Sequence, residues 1–571
     1  MKKVLIFISK IGNLVLSFFN LAMFFAIRMC WSGISKTLGY EDSRSDFILL
    51  LPVFIFFLLI GLFIVNILIY RFKKNNNLLS YIMNGINILF FIVIMVIIAL
   101  GAKDYMYFAW PYFIKYCLIT LGVLICYFFL FVYPKTNLKN NKKFTYISFG
   151  LIITITIGYL VNARVNYITS NPVVYIVEDK YQIVFASNTE SRAWVKIGDI
   201  EYYDNYAGSN RSYTKVHKIE VPILEMNQYR EYTINTQKLT YRGPFGGFKG
   251  RLISETYEFQ PVDTSDGLDY YAISDIHMDI RSSKLAVEYN KNKELLIIAG
   301  DIISMIENEA DALYTNKVAH ELTKGKIPVI YARGNHEIKG KYSEEFHKYV
   351  GAKNEDFYYT FNIDNIYGMV LDLGEDHDDD YWEYYDTAKF DEYRNKQVKM
   401  IEKEIEKGEY KKYDYRFVVS HIPIPYINGR HNHVKIKNDL NNLLNQMNIN
   451  MVISGHQHDL LIFDPNEVTP NENLTYNKNY DGKGKTTKEY LLDFNYPSFV
   501  VSKRGYTQID DNDLTKVKSQ IGLNIHVDFN NKIQECTFNN SKGELINLVN
   551  PFKDIDYGNK ITFSLETNKR I

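Results

Sequence analysis

Five short apolar runs in the second half of the chain each end in a residue that can bind a metal or move a proton. This repetition constrains the fold more than any other feature. Tyr270–Ser274 leads into Asp275-Ile276-His277, Leu295–Ala299 into Gly300-Asp301, and Ile327–Tyr331 into Ala332-Arg333-Gly334-Asn335-His336-Glu337. Phe417–Ser420 releases His421, and Met451–Ser454 releases Gly455-His456-Gln457-His458. Short apolar runs bounded by Gly and polar residues read as buried strands. Helical stretches at Ala310–Thr323 and Ala388–Lys407 lie between some of them. Such alternation gives a mostly buried α/β sheet whose site lies along one edge, at the carboxyl ends of the strands.

The residues released there form a coherent donor set. Asp275, Asp301 and Asn335 offer oxygen, and His277, His421, His456 and His458 offer imidazole nitrogen. Hard oxygen and imidazole donors without thiolate suit Zn, Mn or Fe. With one carboxylate bridging, the set suffices for two divalent metal ions about 3.5–4 Å apart. Asp301 is the natural bridge, since a carboxylate can offer one oxygen to each ion. Any one block alone is ordinary loop chemistry. Five in order are not.

Asp-x-His, Gly-Asp, Gly-Asn-His-Glu, His and Gly-His-x-His in this order resemble the signature of the calcineurin-like metallophosphoesterase superfamily, over roughly residues 269–505. The resemblance implies an α/β/β/α sandwich and a dinuclear centre that hydrolyses phosphate mono- or diesters with a hydroxide held between the ions. It implies that Asp275, His277 and His458 hold one metal, that Asn335, His421 and His456 hold the other, and that Asp301 bridges. His336 would face the phosphate as the catalytic proton donor. Arg333, a planar fork two residues before Asn335, is a candidate substrate-binding residue and equally a candidate structural ion pair. The acidic run Asp376-His377-Asp378-Asp379-Asp380 reads as a solvated loop. Arg430-His431-Asn432-His433 reads as a loop that could cover the pocket.

Before this block, Val173–Val177, Tyr181–Phe185, Ala193–Ile197, Lys218–Val221 and Glu231–Ile234 read as short strands of an all-β sandwich, with Trp194 in its core. A fibronectin-III-like domain preceding such a catalytic domain resembles the purple acid phosphatases and their bacterial relatives. Ser304 stands where those enzymes carry a tyrosine, so their iron(III)–tyrosinate ligand is not expected.

The N-terminal third is different in kind. Five apolar segments, Val4–Ile27, Phe47–Tyr70, Ser80–Ala102, Met106–Tyr133 and Phe144–Val161, are each long enough to span a bilayer. Basic residues crowd the N-terminus and the second and fourth loops, which puts the N-terminus in the cytoplasm and everything after the fifth segment outside. Asn20, Asn66, Asn84, Asn87 and Lys115 are the polar residues within those segments. The expected order is a transmembrane region at 1–165, a fibronectin-III-like β-sandwich at 166–262, a metallophosphoesterase domain at 263–505 and a β-rich extension at 506–571. The expected placement is multi-pass in the cell membrane, with the lipid bilayer as partner and a membrane-proximal phosphate ester as substrate.

Charge sets two further limits. The chain has 65 basic and 65 acidic residues, so no global field points to nucleic acid as a stable partner. Cys536 is the only cysteine in the polar part, so that part forms no internal disulfide. A receptor that uses a catalytically silent phosphoesterase-like domain for binding is the competing class. Binding alone would not require His336.

Overall fold

The computed structural model describes residues 166–571 apart from 243–246, 428–432, 468, 473–477, 481–482, 486–489, 503–519 and 551–554, with a few isolated helical positions before residue 90. The chain divides into two compact units, Met1–Arg164 and Val165–Ile571.

In the second unit the apolar runs form strands. β1 (Ile168–Val177) is followed by β2 (Lys180–Ile197), β3 (Ile200–Tyr203), β4 (Thr214–Pro222), β5 (Glu231–Arg242) and β6 (Gly247–Glu258). Tyr181–Phe185 and Ala193–Ile197, expected as two strands, are the two ends of β2. Its register against β4 slips between Ala186 and Ser191. Next come β7 (Leu268–Ile273), helix α1 (Ile280–Val287), β8 (Leu295–Ile298), helix α2 (Glu309–Thr323) and β9 (Val329–Tyr331). β7, β8 and β9 run parallel, and β1 joins β9 in parallel through Tyr175 and Val329.

The strands at 166–262 therefore continue the sheet that carries the first three blocks. Val173, Val174, Tyr175, Ile176 and Val177 are all buried, without the alternation of a strand that keeps one face in water. Helix α2 lies against β1, where the Tyr175 hydroxyl donates to Asn316 Oδ1 at 3.3 Å. β1 lies between the parallel β9 and the antiparallel β2, and with both faces covered it is apolar on both.

A second sheet follows. It contains β10 (Tyr359–Ile363), β11 (Ile366–Leu371), β12 (Tyr415–Ser420), β13 (Met451–Ser454), β14 (Leu460–Phe463) and β15 (Ser498–Val501), in the order β10-β11-β12-β13-β15-β14. Helices α3 (Phe390–Lys407) and α4 (Val434–Met447) cover its outer face, where Ile401, Leu440 and Leu444 pack with Met369, Leu371, Val418 and Val452 in one apolar core. Between the sheets, Tyr270 of β7 stacks on Phe417 of β12, with ring centroids 5.6 Å apart. The Tyr415 hydroxyl donates to Gln534 Oε1, so the buried Tyr270 hydroxyl donates to Tyr415 at 2.6 Å.

The C-terminal strands β16 (Ile521–Asp528), β17 (Ile533–Asn540) and β18 (Ile561–Ser564) complete the first sheet. β16 pairs antiparallel with β7 from Gly522 to Val527. The order of the 12-stranded sheet is β18-β17-β16-β7-β8-β9-β1-β2-β5-β6, with β3 and β4 also pairing with β2. The single cysteine of this part, Cys536, is buried and free.

The expected helical membrane bundle, and with it the multi-pass placement in the cell membrane, is not supported. Among the described residues no helix is long and apolar enough to cross a membrane. A span needs about 20 mostly apolar residues. The 18-residue α3 instead carries Asp391, Arg394, Lys396, Lys399 and Glu402 along its length. The five apolar segments lie outside the described residues but for isolated positions. Two of those are buried asparagines, where Asn20 Nδ2 donates to the Asn87 carbonyl at 2.9 Å. Asn66, Asn84 and Lys115 lie outside the described residues.

Candidate metal centre

The five blocks meet where β7, β8, β9, β12 and β13 end, and the backbone there is bent hard. Asp275, His277, Asp301, His456 and His458 all have φ between 42° and 73°, the left-handed region. For residues with a Cβ each such conformation costs on the order of 1 kcal/mol. Strain of this kind persists where surrounding contacts over-determine it. Here the turns hold one another: Asp275 N donates to Gly300 O at 3.1 Å, His277 N to Asp301 O at 2.9 Å, and Gly455 N to His421 O at 2.9 Å. Two glycines permit the approach. A Cβ on Gly300 would lie 2.6 Å from His421 Nδ1, and one on Gly334 would lie 2.2 Å from Asp301 Oδ1.

Three ligand candidates have one polar atom fastened to protein, which aims the other. Asp275 Oδ2 accepts from Ser274 Oγ at 2.7 Å, Ser502 Oγ at 2.6 Å and His456 N at 2.9 Å. Asp301 Oδ1 accepts from His336 N at 3.0 Å. His421 Nδ1 donates to the Ala299 carbonyl at 2.6 Å, which aims Nε2 into the site as the atom an ion would take once its proton leaves. The opposite atoms, Asp275 Oδ1, Asp301 Oδ2 and His421 Nε2, are buried and have no hydrogen-bond partner. Asp301 Oδ2 and His421 Nε2 face each other at 3.2 Å, out of hydrogen-bonding geometry.

These atoms converge with others. His458 Nε2 lies 3.5 Å from Asp275 Oδ1 and 3.3 Å from His277 Nε2, and His277 Nε2 lies 3.7 Å from Asp301 Oδ2. Asn335 Oδ1 and His456 Nδ1 are 3.3 Å apart. Two groups result: Asp275, His277, Asp301 and His458 in one, Asp301, His421 and His456 in the other, each with ligand atoms within 4.8 Å of one another. Asp301 belongs to both, and the atom it presents is Oδ2. The chemistry of this donor set and its orphaned buried atoms fit divalent ions.

The electrostatics agree. Burial alone would strip the proton from His421, but Asp301 and Asp275 outweigh it and push the imidazole up to about 10. Burial likewise opposes the charge on Asp301, yet His421, His336 and His277 hold its carboxyl well below the usual range. His277, more desolvated than it is attracted by Asp301, falls to about 3. Without a cation, a proton on His421 does part of a cation's work.

His336 stands apart from both groups. Its Nδ1 donates to the Ser304 carbonyl at 2.8 Å, while Nε2 lies 3.9 Å from Asp301 Oδ2 and the side chain remains 30% exposed. Arg333 is turned the other way. Its Nε and Nη2 reach Asp372 Oδ2 at 2.8 and 2.7 Å, and the Phe357 ring covers the guanidinium at 4.3 Å.

Sequence reasoning missed three supporting residues. The buried Glu337 carboxylate accepts from the backbone N–H groups of Gly334, Asp301, Ile302 and Ile303 at 2.8, 2.9, 2.6 and 3.2 Å, tying the second block to the third. Burial and Asp301 push its carboxyl up to about 7. Its signal was present, as the last letter of Gly-Asn-His-Glu. Ser502 carries no local signal. Asp376 sits in the acidic run read as a solvated loop, yet its Oδ2 lies 3.2 Å from His456 Nε2. Arg430, His431 and Asn432 lie outside the described residues.

Residues 269–460 match the family model of the calcineurin-like phosphoesterases, so the chain carries a calcineurin-like phosphoesterase domain. Among solved structures, purple acid phosphatase PPD1 from yellow lupin (Lupinus luteus) seeds is similar over 69% of this chain and 74% of its own, at 14% identity and a TM-score of 0.42. GAP50, the anchor in the inner membrane complex of Plasmodium, is similar over 49% of this chain and 87% of its own, at 15% identity and a TM-score of 0.32. No curated protein matches the chain.

Proposed function

We propose that the chain is a hydrolase of phosphate mono- or diesters with a dinuclear divalent-metal centre, in which Asp301, a member of both ligand groups, would serve both ions. Asp275, His277 and His458 would complete one site, and Asn335, His421 and His456 the other. One observation carries the reading: Asp275 Oδ1, Asp301 Oδ2 and His421 Nε2 are buried, aimed at neighbouring donors and without hydrogen-bond partners. Leaving a buried polar atom unsatisfied costs about 1–3 kcal/mol, so three in one place call for a ligand.

When bound, two such ions supply Lewis-acid neutralisation of phosphoryl oxygens and activation of water. The chain's own part is positional. The interlocked turns fix the donor atoms before substrate arrives, so little reorganisation remains at the moment of reaction. The Ser304 carbonyl accepts from His336 Nδ1, which orients the ring and leaves Nε2 on the open side to deliver a proton to the departing alkoxide. Arg333 acts through Asp372, holding the turn that bears Asn335 and His336.

Metal analysis of the purified full-length chain, with hydrolysis of a chromogenic phosphate monoester and diester under added Zn, Mn or Fe, tests the proposal. Two ions per chain and turnover of either ester are the expected result. Full metal occupancy without hydrolysis of either would favour the silent binding class.

A further inference from the structure

The acidic run Asp376–Asp380 is only in part a solvated loop: Asp380 is exposed, while Asp376 is mostly covered and the run is tied into the fold. Asp378 Oδ1 lies 3.3 Å from Nδ1 of the buried His433, and Asp379 accepts from Phe390 N at 2.9 Å and Asp391 N at 3.2 Å, closing the start of α3. Just before the run, Arg394 Nη2 donates to the Glu375 carbonyl at 2.6 Å. The loop is thus fastened on both sides of Asp376, the carboxylate that reaches the site.

Asp376 Oδ2 lies 3.2 Å from His456 Nε2, while the other nitrogen of that ring, Nδ1, lies 3.3 Å from Asn335 Oδ1. Both ring nitrogens face acceptor oxygens, and the charged, closer carboxylate competes better than the amide oxygen for a single ring proton; the proton then sits on Nε2 and the Nδ1 lone pair points toward Asn335, where an ion can take it. His421 shows the same logic with a weaker partner, a backbone carbonyl on Nδ1 that frees Nε2. A charged acceptor also makes the ring a more basic ligand than a carbonyl does.

We propose, resting on the dinuclear reading above, that Asp376 is a positioning residue for the ion held by Asn335, His421 and His456: it fixes the tautomer and orientation of His456. Asp376 belongs to neither ligand group and acts through His456. Its effect falls first on that site, because His456 belongs to the group of Asp301 and His421 and not to that of Asp275, His277, Asp301 and His458.

Calorimetric titration of metal-stripped full-length protein with Mn(II) or Zn(II) tests this. The wild-type chain should show two sites. Asp376→Ala should weaken one of them by about 10–100-fold and leave the other unchanged. Asp376→Asn, which keeps an acceptor oxygen, should recover part of the loss. The thermal midpoint of the metal-free protein should be the same in all three. Wild-type affinity at both sites of Asp376→Ala would overturn the proposal. So would equal weakening of both sites with a lowered metal-free midpoint, which marks a structural role. A wild-type chain that takes up no metal would overturn the dinuclear reading itself, and that arm alone decides it.

Discussion

At the scale of single residues, the site is a set of side chains with one end tied and the other end bare. Asp275 and His421 each commit one polar atom to protein and leave the second buried without a partner. That arrangement ties metal affinity to pH. His421 holds its proton up to about 10 in the metal-free protein, because Asp301 and Asp275 outweigh the burial that opposes it. An ion must displace that proton, so apparent affinity should rise about tenfold per pH unit below pH 10 and fall away as pH is lowered. Calorimetry in buffers of different ionisation heat would report the released proton. His336 makes the opposite prediction. With Nδ1 on Ser304 and no place in either ligand group, His336→Ala should retain two ions per chain and lose about 10²–10⁴-fold in turnover. Loss of metal on that substitution would contradict the role.

At the scale of elements, the strand ends were legible because each block is local: an apolar run stops, and the next residues are the ligands. What holds the turns to one another was not. Glu337 could be named from Gly-Asn-His-Glu, but its work is to accept N–H groups from Asp301, Ile302 and Ile303, more than 30 residues earlier. Arg333 shows the same limit. Its position suggested a phosphate contact or an ion pair, and Asp372 with the Phe357 ring occupies the guanidinium. Arg333→Ala should therefore leave the buried Asp372 carboxylate uncompensated and cost about 3–5 kcal/mol, read as a lower denaturant midpoint. Asp372→Asn in the same chain should restore part of the loss. An unchanged midpoint in the single variant would show that the pair contributes nothing to stability.

At the scale of the whole molecule, one sheet gathers segments from both ends of Val165–Ile571. β16 to β18 were legible only as a β-rich tail, yet β16 lies edge to edge with β7, the strand that delivers Asp275 and His277. Deleting residues 521–571 should strip β7 of that partner and expose Leu268, Tyr270 and Ala272 with their backbone groups. The expected result is an aggregated product, since an unpaired apolar edge invites association. A soluble, metal-binding truncation would refute it. The membrane-bundle reading failed at this scale too: hydropathy marked the apolar segments, but no described helix has the length and apolarity of a span.

The sequence by itself determined the chemistry of the donors and the strands that carry them, because alternation, apolar runs and Gly-bounded turns are short-range properties of the chain. Tertiary structure alone decided which atom of each donor is free. Ser502 aims Asp275 from 227 residues away, Asp376 lies against His456, and Asp301 presents Oδ2 because His336 N–H holds Oδ1. Those are contacts between distant segments, and only packing brings them within hydrogen-bonding range.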